Sequence, residues 1–288
     1  MSLQLVHSVA EMQRSLAPFR TKGPIIGLVP TMGALHAGHA RLIDTARAEC
    51  GCVVASIFVN PIQFDRGDDF HRYPRTLATD TEFCSAHGVD LVFAPPDAEI
   101  YPQPQRAFVE VDRVGDCMCG PFRPGHFRGV ATVVLKLLNI VRPGRAYFGE
   151  KDAQQLAVIR RMVLDLNVPV TIVEVPTVRE ADGLALSSRN QHLSSEERLI
   201  APVFIRALRS AQALIASGVV DAGAVKREAR RVLEEPPGVR IEYIEIVDPE
   251  EMQPVGQITT PVRIAGAIWV GKTRLIDNLL CVPGASGG

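Results

Sequence analysis

Two histidines three residues apart, His36 and His39, lie in the segment VPTMGALHAGH, which also contains Gly33 and Gly38. An apolar run precedes this segment and a helical pattern follows it, so the expected order is strand, loop and helix. The N-terminus of a helix offers unpaired N–H groups to an anion, and glycines let a polyphosphate approach the backbone closely. Imidazoles on one side of the first helical turn can donate hydrogen bonds to phosphate oxygens. These residues therefore predict a nucleotide phosphate site.

Two better-known phosphate motifs do not fit this segment. Gly33 and Gly38 have P-loop spacing, but His39 and Ala40 stand where that motif requires Lys and Ser or Thr. The chain contains no G-x-G-x-x-G sequence, which argues against a nicotinamide dehydrogenase. One alternative stays open at this point, in which the two histidines only cap and pack the turn.

A second cluster, FGEKD at 148–152, again joins a predicted strand end to a helix start. Lys151 is expected at the carboxyl end of its strand, where ligands bind in open α/β sheets. Asp152 is expected either to accept a hydrogen bond from a ribose or to cap the helix, and Gln155 follows one turn later. This cluster is predicted to face the same crevice as the histidines.

Three further clusters lie at strand ends or helix starts. The segment LALSSRN at 184–190 combines two serines with Arg189, which predicts a phosphate clamp, although a polar linker between domains is the alternative. Asn60 and Gln63 follow another strand, where neutral amides suit a hydroxylated or carboxylate substrate. His126 begins a helix in RPGHFRG. Together the clusters favour a nucleotide site over any one motif taken alone.

The amino-acid composition argues against several classes of protein. Of 288 residues, 47% are hydrophobic and 22% are charged, which is typical of a globular protein. With 31 basic and 32 acidic residues the net charge is −1, so we expect no nucleic-acid or membrane partner. The N-terminus has no signal-peptide pattern and no apolar run approaches membrane-spanning length, so the expected location is cytoplasmic. The six cysteines lack zinc-site spacing and are expected to be reduced thiols.

The elements that must position these clusters alternate between strand and helix. Strands are predicted at 24–30, 52–60, 89–95, 145–149 and 170–176, with helices at 38–49, 77–87, 127–141 and 152–166. This alternation predicts an α/β fold with a Rossmann-like, doubly wound parallel sheet.

The order of elements changes after Arg189. Helices at 194–217 and 221–235 are followed by strands at 240–248 and 262–270, which predicts a smaller α+β domain. We therefore expect a nucleotide- and substrate-binding domain at 1–178 and a C-terminal domain at 179–288 that closes over the site.

Six segments, PTMGALHAGH, SIFVNPIQF, YPRT, RPGHFRGV, FGEKDAQQL and DGLALSSRN, occur in this order along the chain. Together they closely resemble the pantothenate synthetase (pantoate–β-alanine ligase) family, with a weaker similarity in TRLIDN at 273–278. The H-x-G-H element alone is shared with many nucleotidyltransferases and class I aminoacyl-tRNA synthetases. The combination with FGEKD and SSRN is far more specific.

The resemblance implies two half-reactions. Pantoate carboxylate attacks the α-phosphorus of ATP to give pantoyl adenylate and pyrophosphate, and the amine of β-alanine then releases pantothenate and AMP. The resemblance also implies Mg²⁺, bound mainly through phosphate oxygens and water, and a homodimer.

The resemblance further assigns roles to individual residues. The expected catalytic residues, with His39 as proton donor, are His36, His39, Lys151 and Arg189. The expected ATP-binding residues are Met32, Gly33, Ala34, Leu35, His36, Ala37, Gly38, His39, Gly149, Glu150, Lys151, Asp152, Val178, Leu186, Ser187, Ser188 and Arg189. Gln63 and Gln155, with Asn60 close by, are expected to bind pantoate and β-alanine, and Asp80 is the candidate carboxylate for magnesium.

Two positions depart from the family pattern: Cys119 stands where an acidic residue is expected, and Ala153 where an aromatic residue is common. Two other functions share part of the pattern. A plain adenylyltransferase needs the H-x-G-H turn but not the Gln63 and Gln155 pair, and a nucleotide sensor would bind ATP without chemistry. A tRNA synthetase is disfavoured by the near-neutral charge.

Overall fold

The computed structural model describes residues 3–64 and 67–284, which form two compact units. Unit 1 comprises 1–111, 123–150 and 158–176, and unit 2 comprises 112–122, 151–157 and 177–288. Two segments that precede residue 178 therefore group with unit 2. The division into domains at 178/179 itself stays a prediction.

Unit 1 contains a six-stranded sheet. Its strands are β1 (Gln4–Val6), β2 (Ile26–Thr31), β3 (Cys52–Ile57), β4 (Leu91–Phe93), β5 (Arg145–Gly149) and β6 (Thr171–Val175). Its helices are α1 (Val9–Lys22), α2 (Ala37–Glu49), α3 (Gly67–Arg72), α4 (Leu77–Ala86), α5 (Asp97–Ile100) and α6 (His126–Val141), and the helix α7 (Ala153–Asp165) belongs to unit 1 from Val158 onward.

All neighbouring strands of this sheet are parallel, and their spatial order is β1-β4-β3-β2-β5-β6. The chain moves outward from β2 through β3 to β4 and then returns to place β5 on the other side of β2. The β2–β5 pairing covers only Gly27 with Arg145 and Leu28 with Ala146, although both strands continue beyond it. A crevice at the carboxyl ends of β2 and β5 is thus the position where such sheets bind ligands.

Burial explains why these segments form a sheet. The first five residues of β3, CVVAS, are all buried, as expected for a strand covered on both faces. A cluster of buried apolar side chains around Val29, Ile43, Val53 and Val92 packs α2 against the sheet. The predicted α/β fold class with a parallel, doubly wound sheet is confirmed.

Unit 2 is an α+β unit. Its helices are α8 (Ser195–Ile200), α9 (Val203–Ala216) and α10 (Ala222–Leu233), and its strands are β7 (Val239–Val247), β8 (Val262–Val270) and β9 (Thr273–Cys281). The strands form an antiparallel sheet in the order β7-β8-β9. Apolar residues of α9 and α10, including Phe204, Leu208 and Val225, pack with Ile264 and Ile268 of β8 in one core.

The structure differs from the sequence predictions at several elements. The predicted helix at 194–217 is divided into α8 and α9, because Pro202 has no N–H with which to continue the helical hydrogen bonds. The strands β1 and β9 and the helix α1 were not predicted. In α1 a signal was present, since Ser8 and Glu11 form a capping box.

One helical stretch among the described residues, Ser195–Ala216, has the length and apolar composition of a membrane span, contrary to the expectation above. It consists of α8, residues 201 and 202, and α9. The apolar side of α9, with seven buried residues, lies in the core of unit 2. Packing inside the unit therefore accounts for this apolar stretch.

Candidate functional site

The predicted site residues fall into both units, and each half is described by itself. Unit 1 contains Met32 to His39, Asn60, Gln63, Asp80, Gly149 and Glu150. Unit 2 contains Lys151, Asp152, Gln155, Val178, Leu186, Ser187, Ser188 and Arg189.

The loop between β2 and α2 is held by a carboxylate. Asp80, in the first turn of α4 and 2% exposed, accepts hydrogen bonds from the backbone N–H groups of Ala34 (3.0 Å) and Leu35 (2.8 Å). Its Oδ2 also accepts from the Thr76 hydroxyl at 3.0 Å. Both carboxylate oxygens are therefore engaged in shaping the loop, and the predicted contribution of Asp80 to a magnesium site stays a prediction.

The position of the Asp80 carboxylate requires a glycine at residue 33. Gly33 has a φ of 83°, in the left-handed region that favours glycine, and a Cβ atom there would lie 2.9 Å from Asp80 Oδ2. Asp80 could not approach the neighbouring N–H groups if residue 33 carried a side chain.

His36 and His39 form the N-terminal cap of α2. His36 Nδ1 accepts from the backbone N–H of Gly38 at 3.1 Å, and His39 Nδ1 accepts from the backbone N–H of His36 at 3.2 Å. The ring centroids are 4.2 Å apart, and both residues are half-buried. Both histidines therefore cap the turn through Nδ1, and that they also bind phosphate stays a prediction.

This capping has a chemical consequence. Because Nδ1 of each ring accepts a hydrogen bond, the proton of each neutral imidazole must lie on Nε2. Both rings are thus set as Nε2–H donors, which is the form that hydrogen-bonds phosphate oxygens. Gly38 makes the arrangement possible, since a Cβ atom there would lie 2.8 Å from His36 Cε1.

The turn after β3 contains a buried amide pair. Asn60 is 1% and Gln63 is 7% exposed, at the two ends of a short 3-10 turn. Asn60 Nδ2 donates to Gln63 Oε1 at 2.9 Å, and Gln63 Nε2 donates to the Met32 thioether at 3.2 Å. The structure thus brings together two of the three predicted substrate-binding amides, Asn60 and Gln63, and joins them to the loop after β2.

The helix α6 packs directly on this turn. A Cβ atom on Gly129 would lie 2.4 Å from the Ile62 carbonyl oxygen, so only glycine allows this approach. His126 Nδ1 contacts the Gln63 carbonyl oxygen at 2.9 Å, and Arg123 Nη1 lies 3.0 Å from His126 Nε2. Since a carbonyl only accepts, His126 Nδ1 is the donor, and its role here is to fix the turn.

Unit 2 contains a small cleft with about 10 Å³ of water-accessible space. Lys151, Ser187 and Arg189 line it, together with Arg274 of β9. The guanidinium of Arg274 is paired with the buried carboxylate of Glu242, whereas the Lys151 ammonium lies 3.8 Å from the half-exposed Asp152 carboxylate. Three residues predicted from two separate motifs, FGEKD and LALSSRN, thus line one cationic cleft.

The segment before this cleft is a closed turn. The Leu186 N–H donates to the Val178 carbonyl at 2.9 Å, and Arg179 pairs with Ala185 in an antiparallel bridge. Ser187 Oγ then accepts from the Arg189 N–H at 3.3 Å and caps the short 3-10 helix Ser188–His192. The predicted ATP-binding residues from 178 to 189 are therefore close together.

Two polar residues of β9, Asp277 and Asn278, support the segments that carry the cleft residues. They were not predicted as functional from the sequence. Asn278 Nδ2 donates to the Lys151 carbonyl at 3.0 Å, and the buried Asp277 carboxylate receives two hydrogen bonds from Arg179, at 2.6 and 2.9 Å. Both lie in TRLIDN, whose similarity to the family was the available signal. Periodicity could not find them, because the contacts span 98 and 127 residues.

Two neighbouring glutamines of α7 have different environments. Gln155, the predicted substrate residue, is half-buried. Gln154 is buried, and its amide accepts from the Cys119 N–H and donates to the carbonyls of Val114 and Cys117. Gln154 is thus a structural residue that holds the segment 112–122.

Cys119, where the family pattern has an acidic residue, is buried. Its Sγ lies 3.1 Å from the hydroxyl of Tyr243 and 3.5 Å from Arg274 Nη2. The carboxylate of Glu242 pairs with Arg274 and neutralises it. Cys119 thus takes part in the packing of unit 2.

The described cysteines and acidic residues form no cluster of metal ligands. All six cysteines are free thiols, and burial raises the pKa of Cys52 and Cys84 to about 12, so both stay protonated at neutral pH. Among residues 3–64 and 67–284, no three His, Cys, Asp or Glu side chains are grouped as metal ligands. The described side chains thus offer donors and cations for an anion, not a cage for a metal.

Comparison with known proteins gives one consistent result. The profile of the family described as Pantoate-beta-alanine ligase matches residues 4–280. A pantothenate synthetase from Heliobacterium modesticaldum is 50% identical over 96% of this chain and 99% of its own length. One from Sinorhizobium medicae is 49% identical over 98% of this chain and 97% of its own length.

Solved structures agree with this result. The pantothenate synthetase from Thermus thermophilus has a TM-score of 0.92 at 46% identity, covering 98% of this chain and all of that one. The pantoate-beta-alanine ligase from Francisella tularensis, solved with beta-gamma ATP and beta-alanine, has a TM-score of 0.80 at 35% identity, covering 97% and 98%. The resemblance noted in the sequence is confirmed: the chain belongs to the pantoate–β-alanine ligase family.

Proposed function

We propose that this protein is an ATP-dependent ligase that condenses pantoate with β-alanine to give pantothenate, AMP and pyrophosphate. The observation that carries the proposal is the family match over residues 4–280, together with relatives of similar length that are about half identical. The ligands of the Francisella structure, beta-gamma ATP and beta-alanine, support ATP and the amine as substrates. Pantoyl adenylate is the intermediate that joins the two half-reactions.

In the first half-reaction, negative charge develops on the phosphates as the pantoate carboxylate attacks the α-phosphorus. Preorganised donors stabilise such charge most effectively. We assign this role to the Nε2–H groups of His36 and His39, with His39 as proton donor to the leaving group, and to the cations Lys151 and Arg189. Two observations support the assignment: the Nε2–H tautomers of His36 and His39 in unit 1, and the cationic cleft in unit 2.

We assign substrate binding as follows. The loop from Met32 to His39 would line the ATP groove, and the residues from Gly149 to Asp152 with Val178 would bind ribose and adenine. Gln63 and Gln155, with Asn60, would hold pantoate. The serines before Arg189 and the Leu186 backbone would complete the phosphate clamp.

Mg²⁺ fits this site only as a companion of the nucleotide. The described residues provide no cluster of metal ligands, and hard cations of this kind are commonly held through phosphate oxygens and water. When bound, the ion would neutralise phosphate charge. We further propose a cytoplasmic homodimer whose C-terminal domain, residues 179–288, closes over the bound nucleotide.

A coupled assay tests the function. With ATP, pantoate and β-alanine, we expect AMP and pantothenate to appear in equal amounts. Without β-alanine, labelled pyrophosphate should exchange into ATP only when pantoate is present. Exchange without any pantothenate would indicate an adenylyltransferase, and ATP binding without exchange would indicate a sensor; either result overturns the proposal.

A further inference from the structure

A tyrosine outside every predicted motif contacts the buried amides of unit 1. Tyr101 follows the short helix α5, and its hydroxyl donates to Asn60 Oδ1 at 2.7 Å. Asn60 in turn donates to Gln63 Oε1, so Tyr101, Asn60 and Gln63 form one chain of hydrogen bonds. We call this chain the amide relay.

A backbone carbonyl fixes the direction of the amide relay. Asn60 Nδ2 also donates to the carbonyl oxygen of Gly129 at 3.2 Å. A carbonyl oxygen can only accept, so the amide of Asn60 cannot rotate by 180° without placing two oxygens against each other. Asn60 Oδ1 must therefore face Tyr101, and Asn60 Nδ2 must face Gln63.

The Tyr101 hydroxyl supplies the donor that Asn60 Oδ1 needs in this orientation. Asn60 Oδ1 is buried and needs a donor, because an unsatisfied buried acceptor destabilises the fold. Burial, with a smaller contribution from Asp97, raises the pKa of Tyr101 above its ordinary value, so the phenol stays protonated and donates. The Lys136 ammonium lies 4.9 Å from the centre of the ring and helps to hold it.

The relay determines what Gln63 offers a ligand. Because Oε1 accepts from Asn60, the amide of Gln63 is oriented with Nε2, a donor, toward Met32. Its described partner is the thioether of Met32, which is a weak acceptor. An oxygen atom of a bound hydroxy acid would be a stronger one.

We propose that Tyr101 is a positioning residue: its hydroxyl completes the hydrogen bonds of Asn60, whose orientation by the Gly129 carbonyl presents Gln63 as a donor, so that the site selects an acceptor oxygen of the hydroxy acid. The inference rests on the proposed function, because it takes the ligand beside Gln63 to be pantoate. Tyr101 contacts no reacting atom in this account and acts only through Asn60 and Gln63.

The test is Tyr101→Phe, which removes one oxygen and keeps the ring. We expect the KM for pantoate to rise about tenfold, as for loss of one hydrogen bond, while the KM values for ATP and β-alanine stay within twofold. The matched control is Tyr147→Phe. Tyr147, another tyrosine of unit 1, is buried, and its hydroxyl donates to Glu49 at 2.9 Å, away from the relay. Its loss should lower stability without changing the KM for pantoate.

A double-mutant cycle separates positioning from general packing. Gln63→Glu replaces the Nε2 donor by an oxygen, and Tyr101→Phe added to it should raise the KM for pantoate no further. Additive effects, an unchanged KM in Tyr101→Phe, or an equal rise in Tyr147→Phe would each overturn the inference. If wild-type protein makes no pantothenate, the proposed function fails first and the inference fails with it; an active wild type with an unchanged Tyr101→Phe rejects the inference alone.

Discussion

The two halves of the candidate site are built differently. In unit 1 the loop before α2 presents backbone N–H groups and two imidazoles, held by mutual capping and by the carboxylate of Asp80. In unit 2 the cleft presents long cationic side chains, and its elements are tied to β9 by Asp277 and Asn278. Unit 1 thus presents groups held by hydrogen bonds to the main chain. Unit 2 presents long side chains whose segments are held by residues far away in the sequence.

The difference teaches where phosphate recognition can be encoded. Glycine and histidine at fixed spacing specify the loop of unit 1 almost by themselves, because each bond joins near neighbours or a single carboxylate. A lysine or arginine specifies only a charge, and its direction depends on packing elsewhere. Four variants test this contrast, and they are given from the largest expected effect to the smallest.

Lys151→Ala asks whether the cation of unit 2 serves chemistry. We expect kcat/KM for adenylate formation to fall about 10²–10³-fold, because one preorganised charge is lost from the transition state, while Tm stays unchanged. The measurement is pantoate-dependent pyrophosphate exchange. Lys272→Ala, in the exposed turn between β8 and β9, is the control and should behave as wild type. Wild-type exchange by the Lys151 variant would remove this residue from the mechanism.

Asp277→Ala breaks the support of unit 2. The mostly buried Arg179 would lose the carboxylate that accepts two of its hydrogen bonds. We therefore expect the free energy of unfolding to fall by about 3 kcal/mol. Urea unfolding followed by circular dichroism measures the change. The double variant Arg179→Leu/Asp277→Leu removes both charges and should recover part of the loss. An equal loss in the double variant would show that the ion pair itself is not the cause.

Asp80→Asn breaks the support of unit 1. An amide group would place an N–H against the N–H of Ala34 or Leu35, so we expect a loss of about 2 kcal/mol and a raised KM for ATP. Glu82→Gln, at an exposed position of α4, is the control for the change of charge. If both variants lose equally little, the loop is held by the histidine caps alone.

Glu228→Gln tests an exposed pair that serves neither half. Hydrogen bonds from Arg231 and Ser210 lower the pKa of Glu228 to about 2, so its stabilising effect is complete above about pH 4.5 and is lost as the pH falls toward 2. Because Arg231 is well exposed, we expect Tm at pH 7 to fall by only about 1 °C, with no difference from wild type near pH 2. A shift of several degrees would contradict the ranking.

Local patterns predicted much of the fold. The alternation of strands and helices from β2 to β6 and the loops after β2, β3 and β5 followed from periodicity, because buried parallel strands are continuously apolar. The strand β9 was missed because Arg274, Asp277 and Asn278 interrupt its apolar pattern. Those same polar residues make the long-range contacts that support the cleft.

The sequence predicted which residues belong to the candidate site better than it predicted their hydrogen-bond partners. His36 and His39 were expected as phosphate donors, and the structure adds that their Nδ1 atoms cap α2. Asp80 was expected near magnesium, and in the structure its carboxylate accepts hydrogen bonds from the backbone of the loop between β2 and α2. A hydrogen-bond partner many residues away leaves no periodic trace, which is why Tyr101 and Asn278 could not be found from the sequence.

The close approach of α6 to the turn after β3 limits how the proposed preference for an acceptor oxygen could be altered. The acceptor that orients Asn60 is a main-chain oxygen of Gly129, so no exchange of side chain removes it. A pocket adapted to a donor such as an amine would need coordinated replacement of Tyr101, Asn60 and Gln63. Single steps along that path leave a buried polar atom unsatisfied, and we therefore expect laboratory evolution by point mutation to retain the proposed preference longer than other contacts of the site.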